Sequence, residues 1–174
     1  MSKARILIVD DEEDLRDVLE HQLKPLGCSI ELAVNGREAL ARVEAARFDA
    51  ILSDISMPEM NGLEFLAKVR ERGIDTPFVI LTGFGDKAKA VEALRLGAFD
   101  FLEKPWEPEL LRTTMKSAVD LGSMMRELDS DMEKMLETMK NASEEQRQQV
   151  RKMRDVQRSL LLMRIHKNLV RKTA

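Results

Sequence analysis

Acidic, hydroxyl and amino side chains follow the short apolar runs of this 174-residue chain. Asp10 and Asp11 follow the first run, and Asp54 follows another run further along. Thr82 and Lys104 follow two later runs, which adds an alcohol and an ammonium group. Oxygen ligands without histidine or cysteine suit Mg²⁺, which proteins commonly hold beside phosphates. Because ammonium and hydroxyl groups bind phosphoryl oxygens, the set predicts phosphate chemistry with Mg²⁺ as the cofactor.

Asp54 is the candidate nucleophile of this set. A carboxylate can attack phosphorus and hold the group as an acyl phosphate. A bound metal ion and Lys104 would stabilise the charge on the phosphoryl oxygens. As an alternative, the Asp10–Asp11 pair only supplies negative charge at the start of a helix, where the helix dipole favours it. The convergence of five such groups on one edge favours the phosphate site.

The elements that must bring these side chains together alternate between strand and helix. Apolar runs rich in β-branched residues predict strands over 5–9, 29–34, 48–53, 77–81 and 98–102. Helical spacing of apolar residues predicts helices over 12–26, 36–46, 62–72, 86–96 and from 107 onward. Strands that are apolar on both faces need helices on both sides, which predicts an α/β fold with a doubly wound, five-stranded parallel sheet. Ligands of such folds bind at the carboxyl ends of the strands.

Four runs of the sequence resemble the motifs of the response-regulator receiver family, namely ILIVDDE, LSDISMPEMNG, ILTGFG and FLEKP. The resemblance covers roughly residues 3–121 and implies the flavodoxin-like receiver fold. It also implies that Asp54 is the phosphoacceptor, that Thr82 is the switch hydroxyl and that Lys104 is the active-site lysine. The donor would be the phosphohistidine of a sensor histidine kinase. The chain would then be a signalling domain that accepts and hydrolyses its own phosphoryl group, and not an enzyme that turns over an external substrate.

The resemblance also implies a set of metal ligands. Mg²⁺ would be bound by Asp11 directly, by Asp10 through water, by Asp54 and by the backbone carbonyl of Ser56. All of these ligand atoms are oxygens, as Mg²⁺ prefers.

Three features beside the site follow from the same resemblance. Phe101 stands at the position of the switch aromatic, where tyrosine is common in the family, so its ring carries no hydroxyl. Phe84, two residues beyond Thr82, is expected to shield an acyl phosphate from water and to prolong its lifetime. The Lys104–Pro105 peptide bond is expected to be cis, which an X-Pro bond in a tight turn permits.

A change of composition marks the second part of the chain. Eight of the 11 methionines lie from Met115 onward, whereas the last proline is Pro108 and the last glycine is Gly122. A region without helix breakers therefore begins near Gly122. We predict a receiver domain over 1–121 and a helical coiled-coil tail over 122–174.

The tail has mostly apolar residues at alternating steps of four and three from Leu121 to Val170, and the polar Gln146, Gln149 and Lys167 interrupt the series. This heptad repeat predicts a coiled coil, formed with a second copy in a homodimer or with a partner protein. One amphipathic helix packed on its own domain is the alternative. Ser143 and Gln146 have the spacing of a capping box, which would start a new helix. The tail is therefore either one long helix or a hairpin with a break near 141–143.

The charge of the tail changes sign along its length. Residues 120–145 carry eight acids and three bases, whereas residues 146–174 carry nine bases and one acid. The basic end makes a nucleic-acid-binding regulator an alternative function, although no aromatic residues interleave the bases for stacking. A second alternative is a fragment whose tail linked the receiver to an enzymatic output domain. The single cysteine and the lack of a long apolar stretch lead us to expect a cytoplasmic chain without a membrane segment.

Overall fold

The computed structural model describes residues 3–83, 85–139 and 141–170, apart from the side chains of 162 and 164–170. The strands are β1 (Arg5–Val9), β2 (Ser29–Ala33), β3 (Ala50–Asp54), β4 (Phe78–Thr82) and β5 (Asp100–Glu103). The helices are α1 (Glu13–Leu23), α2 (Gly36–Ala45), α3 (Gly62–Glu71), α4 (Lys87–Arg95), α5 (Pro108–Thr138) and α6 (Glu144–Val170). Among these described helices, none is both long enough and apolar enough to span a membrane.

The five strands form one parallel sheet in the order β2-β1-β3-β4-β5. Every residue of β3 and of β4 is buried, because apolar side chains on both of their faces are covered by helices. The prediction of a doubly wound, five-stranded α/β fold is therefore confirmed. The order reverses between β1 and β3, which is the point where this class of fold binds ligands.

Several boundaries differ from the sequence prediction by one to three residues, and those of α1, β3 and β4 bear on the site. Helix α1 ends at Leu23 and continues only as a 3₁₀ turn to Leu26, because Pro25 has no N–H with which to continue the helix. Strands β3 and β4 begin later than predicted and each end one residue later, so Asp54 and Thr82 are their last residues. Their backbones are therefore fixed by the sheet and not by a loop.

The side chain of Arg70 joins two loops on the side of the sheet that carries α3 and α4. Its guanidinium group donates to the carbonyl oxygens of Ile74 at 2.7 Å and Thr76 at 3.0 Å, which lie between α3 and β4. It also donates to the carbonyl of Gly97 at 2.9 Å, just beyond the end of α4. Gly97 has a φ of 88°, a left-handed conformation that favours glycine. The carboxyl end of α4 is thereby attached to the loop that precedes β4.

The chain divides into two compact units, Met1–Gly122 and Ser123–Ala174, and the division falls within α5. In the second unit, the residues between α5 and α6 contain the expected capping box. Ser143 accepts a hydrogen bond from the backbone of Gln146 at 3.2 Å, and Gln146 accepts one from the backbone of Ser143 at 2.9 Å. Of the two arrangements that the sequence left open, the structure has the two-helix one.

The two helices of the second unit run antiparallel and contact each other through polar and apolar groups. Arg158 forms an ion pair with Asp129 at 3.1 Å, although 29 residues separate them. Nearer the turn, Arg147 donates to the carbonyl oxygen of Met139 at 3.3 Å. Val150 is buried on the same side of α6. Pairing of this tail with a second chain stays a prediction.

Candidate functional site

The ammonium group of Lys104 lies between two buried carboxylates at the carboxyl edge of the sheet. Its Nζ is 2.7 Å from Oδ1 of Asp54 and 3.4 Å from Oδ2 of Asp10. Asp10 is 0% exposed and Asp54 is 5% exposed. These residues follow β1, end β3 and follow β5, so the site lies where the strand order reverses. The structure thus brings together three of the side chains that the sequence predicts for the site.

Burial and charge act together on these groups. Burial raises the pKa of Asp10, and the charge of Asp54 raises it further, although the backbone N–H of Glu12 and the ammonium of Lys104 oppose this. Burial alone would lower the pKa of Lys104, but the hydrogen bond and charge of Asp54, helped by Asp10, outweigh burial and raise it. Lys104 therefore stays positively charged in the site, and ionisation of the buried Asp10 carboxyl is unfavourable without a further cation.

The predicted metal ligands are carboxylate and carbonyl oxygens, which are the donors that Mg²⁺ prefers. Asp11 is exposed, and among the described residues no three His, Cys, Asp or Glu side chains lie close enough together to hold a metal. Mg²⁺ commonly uses one or two carboxylates and keeps several waters. Asp10 and Asp54 supply two buried carboxylates, and the raised pKa of Asp10 is the electrostatic condition that a dication relieves. The donor set fits Mg²⁺, with Asp11 needing a different side-chain position to join.

Thr82 occupies the same edge with its hydroxyl group buried. The residue is 1% exposed, and its Oγ1 has no hydrogen-bond partner among the residues that the structure describes. Its carbonyl oxygen accepts from the backbone N–H of Lys104 at 2.8 Å, which fixes the two residues side by side. A buried hydroxyl without a partner costs free energy, so such a group in a site points to a ligand that completes it.

Phe101 lies on the same face of the sheet as Thr82. In the register of β4 and β5, Phe101 pairs with Ile80, and alternate residues of a strand point to the same face. Its side chain is half-buried and packs against the core. The register thus puts Phe101 on the face of the sheet that carries Thr82, and its role as the switch aromatic stays a prediction.

The loop after β3 fixes the orientation of the Asp54 carboxylate. The backbone N–H of Ser56 donates to Oδ2 of Asp54 at 2.7 Å, which leaves Oδ1 to Lys104. A Cβ on Gly62 would lie 2.1 Å from the carbonyl oxygen of Asp54, so only glycine fits there. Asn61 caps α3 by accepting from the backbone of Glu64, and Glu64 accepts from the backbone of Asn61 in return.

Gly62 is the functional position that the sequence analysis missed. The chain pattern presents it as an ordinary turn residue before a helix. The available signal was its position directly after the cap residue Asn61. The first position of a helix does not by itself require glycine, so a glycine there indicates a close contact. Of the remaining expectations, the Lys104–Pro105 bond is cis as implied, and Phe84 lies outside the described residues.

A parallel α/β sheet with these groups at its switch point is the arrangement that the resemblance to receiver domains implies. Residues 6–116 match the response regulator receiver domain, and the chain belongs to that family. Receiver domains of this family take part in phosphorylation-dependent two-component signalling. The resemblance found in the sequence is therefore confirmed.

Similar proteins include the regulatory protein AtoC of Escherichia coli, 40% identical over 71% of this chain and 27% of AtoC. The transcriptional regulatory protein FixJ of Bradyrhizobium diazoefficiens is 36% identical over 68% of this chain and 58% of FixJ. The chain thus spans less than two thirds of the length of either protein. The solved chemotaxis protein CheY4 of Vibrio cholerae is 39% identical with a TM-score of 0.63, over 67% of this chain and 99% of CheY4.

Proposed function

We propose that the chain accepts a phosphoryl group on Asp54 from a sensor histidine kinase and transmits this event through its helical tail. The observation that carries the proposal is the buried Thr82 hydroxyl without a hydrogen-bond partner among the described residues, at the edge where Lys104 meets two carboxylates. A phosphoryl group on Asp54 would give both the hydroxyl and the ammonium an anionic oxygen to bind. Phosphoryl transfer to Asp54 would use all of these groups at once.

The transfer forms one bond and breaks one bond. A carboxylate oxygen of Asp54 attacks phosphorus, the P–O bond forms, and the P–N bond to the donor histidine breaks. The electron pair of the P–N bond stays on the imidazole nitrogen, which takes up a proton from solvent. Lys104 balances the charge that is spread over the phosphoryl oxygens, and the Ser56 N–H keeps the carboxylate in place. Hydrolysis of the acyl phosphate by water would reset the site.

Mg²⁺ would be held by Asp10, by Asp54 and by the backbone carbonyl of Ser56, with Asp11 after a change of its side-chain position. When bound, it supplies positive charge to the reacting oxygens and relieves the repulsion between the two buried carboxylates.

Thr82 and Phe101 would convert phosphorylation into a change of surface. Donation from the Thr82 hydroxyl to a phosphoryl oxygen would draw that side chain toward Asp54, and the Phe101 ring would fill the space left beside it. The phosphoryl group carries about two negative charges and replaces the single charge of the Asp54 carboxylate. This change would bias a two-state equilibrium of the face formed by α4, β5 and α5.

Association of the tail is the proposed output, through homodimerisation or a partner protein. Nucleic acid is a weaker candidate, since Arg158 of α6 pairs with Asp129 of α5 and Arg147 binds the carbonyl of Met139 just beyond α5. Phosphorylation by a kinase of this type and a single cysteine fit a cytoplasmic location.

Labelling with a radioactive small phosphodonor tests the acceptor. The full chain, incubated with acetyl phosphate and Mg²⁺, should acquire a hydroxylamine-labile label, and Asp54→Asn should acquire none. Asp49→Asn is the matched control, because Asp49 is equally buried at the opposite end of β3 and should leave labelling intact. Absence of label on the parent chain, or equal label on Asp54→Asn, would refute the proposal.

A further inference from the structure

The side chain of Arg16 reaches from α1 to the backbone beside the site. Its Nη1 donates to the carbonyl oxygen of Asp10 at 2.7 Å. Arg16 is half-buried, and three acidic residues lie near it in the sequence, namely Glu12, Asp17 and Glu20. Its hydrogen bond nevertheless goes to a neutral carbonyl and not to one of these acids. The contact therefore concerns the backbone of Asp10 and is more than a surface ion pair.

Asp10 is held at each of its polar atoms. Its backbone N–H donates to the carbonyl oxygen of Ala33 at 3.2 Å, and its Oδ1 accepts from the backbone N–H of Glu12 at 2.9 Å. Its Oδ2 lies 3.4 Å from Nζ of Lys104. The bond from Arg16 adds the fourth contact, to the carbonyl oxygen. The sheet, the start of α1 and the lysine thus fix the other three atoms, and Arg16 fixes the last one.

The carbonyl group of Asp10 belongs to the peptide unit that joins Asp10 to Asp11. Because a peptide unit is planar, a hydrogen bond that holds its oxygen also restrains the direction in which the backbone enters Asp11. In this conformation Asp10 is 0% exposed and lies in the site, whereas Asp11 is exposed at the surface. Arg16 therefore helps to set the different positions of the two neighbouring acids.

We propose that Arg16 is a positioning residue that holds the acid pair in the backbone conformation needed to bind Mg²⁺. With the peptide between the two acids fixed, Mg²⁺ binding would require only a change of the Asp11 side chain. Without Arg16 this peptide would be free to rotate, and the loss of that freedom on binding would lower the affinity for Mg²⁺. The inference rests on the proposed function, in which Asp10, Asp11 and Asp54 hold the metal ion.

The charge of Arg16 acts on a dication in the opposite direction. A guanidinium group beside the acids repels Mg²⁺, so the loss of its charge alone would strengthen Mg²⁺ binding. The loss of its hydrogen bond to the Asp10 carbonyl would instead weaken Mg²⁺ binding. Because the two effects differ in sign, the direction of the change in Mg²⁺ affinity distinguishes a positioning residue from a nearby charge.

Thermal unfolding of the full chain over a range of Mg²⁺ concentrations tests the proposal, at constant ionic strength and without a phosphodonor. The rise in Tm with Mg²⁺ gives the dissociation constant of each variant. Arg16→Met removes the charge and the donor and should raise this constant about fivefold or more, since the backbone of one residue is ordered only on binding. Lys24→Met is the matched control, because it removes the same charge from an exposed position just beyond α1 and should bind Mg²⁺ like the parent.

The conservative variant Arg16→Lys keeps the charge and an N–H donor. Its dissociation constant should lie between those of the parent and Arg16→Met, and a loss as large as that of Arg16→Met would count against the proposal. Mg²⁺ binding by Arg16→Met that is as tight as in the parent or tighter, or an equal loss in Lys24→Met, would overturn it. If Arg16→Met is not folded without Mg²⁺, Arg16→Gln carries the same test, because its shorter side chain also removes the charge.

Phosphoryl labelling with acetyl phosphate separates this inference from the proposed function. A chain whose Mg²⁺ affinity depends on Arg16 but that acquires no label refutes only the acceptor proposal. Label on Asp54, together with an Mg²⁺ affinity that does not depend on Arg16, refutes only the positioning role of Arg16.

Discussion

Replacing Thr82 with valine should stabilise the protein and weaken its response to a phosphoryl group. The Thr82 hydroxyl is buried without a hydrogen-bond partner among the described residues, and an unsatisfied buried polar group costs about 1–3 kcal/mol. Valine keeps the branched shape at the end of β4 and removes the polar atom. Allowing for imperfect packing of the new methyl group, we expect a gain of about 1–2 kcal/mol. In a chain of this size that corresponds to about 3–6 °C in Tm.

The same substitution should have the opposite effect on the phosphorylated state. Beryllofluoride with Mg²⁺ mimics the acyl phosphate and stabilises the folded protein in proportion to its affinity. A hydrogen bond to a charged group contributes about 1.5–3 kcal/mol, so losing the Thr82 hydroxyl should reduce the rise in Tm that the mimic causes. Thermal unfolding of the parent and of Thr82→Val, each with and without the mimic, measures both effects.

Ser53→Ala provides the control for this experiment. Ser53 is also buried in the sheet, but its hydroxyl donates to the carbonyl oxygen of Asp54 at 2.9 Å. Its removal should therefore lower the stability, by about 0.5–1.5 kcal/mol. If Thr82→Val is less stable than the parent without the mimic, or gains as many degrees from the mimic as the parent does, the hydroxyl is not the waiting ligand of the phosphoryl group.

Two further substitutions test the site from other directions. Gly62→Ala places a Cβ 2.1 Å from the Asp54 carbonyl oxygen, so chemical denaturation should show a loss of about 1–3 kcal/mol in the free energy of unfolding, and labelling should slow. The control is Gly83→Ala, whose Cβ meets nothing closer than 4.0 Å and whose stability should stay within about 0.5 kcal/mol of the parent. Similar losses for both variants would count against the contact at Gly62. Asp10→Asn should be more stable than the parent at neutral pH. The raised pKa of Asp10 means that ionisation costs folding free energy above the ordinary aspartate pKa, and that this cost is absent at lower pH. The stability difference between variant and parent should therefore shrink as pH falls toward 3.8, and a difference independent of pH would contradict the assignment.

The sequence predicts most of the sheet and the meeting point of the site. Strand β1 has the predicted bounds, and the residues at or after three strand ends converge because parallel strands place their carboxyl ends on one edge. The sequence alone does not predict which of Asp10 and Asp11 is buried. They are adjacent acids of the same type, yet one is fully buried and the other is exposed. That difference arises from the local backbone direction after β1, which no residue pattern records.

The tail shows a different limit of sequence reasoning. A heptad repeat specifies that a helix has an apolar seam, but it does not specify whether the covering helix belongs to the same chain. For α5, the Asp129–Arg158 ion pair shows that a covering helix belongs to the same chain. The heptad repeat does not predict this contact, because no periodicity relates the two residues. The capping box at Ser143 is the one local signal that indicated a second helix.

The two ends of α4 are restrained to different degrees. Beyond its last turn, the Gly97 carbonyl is held by the Arg70 guanidinium, which also binds the loop before β4. At its first turn, Asp86 makes no side-chain cap, and among the described side chains it forms an ion pair with Lys89. Because its carboxyl end is held, α4 can rotate about that end. A small push from the site should thus swing the start of α4 through a larger arc than its end, and the surface around the start of this helix is where a bound protein would sense the change.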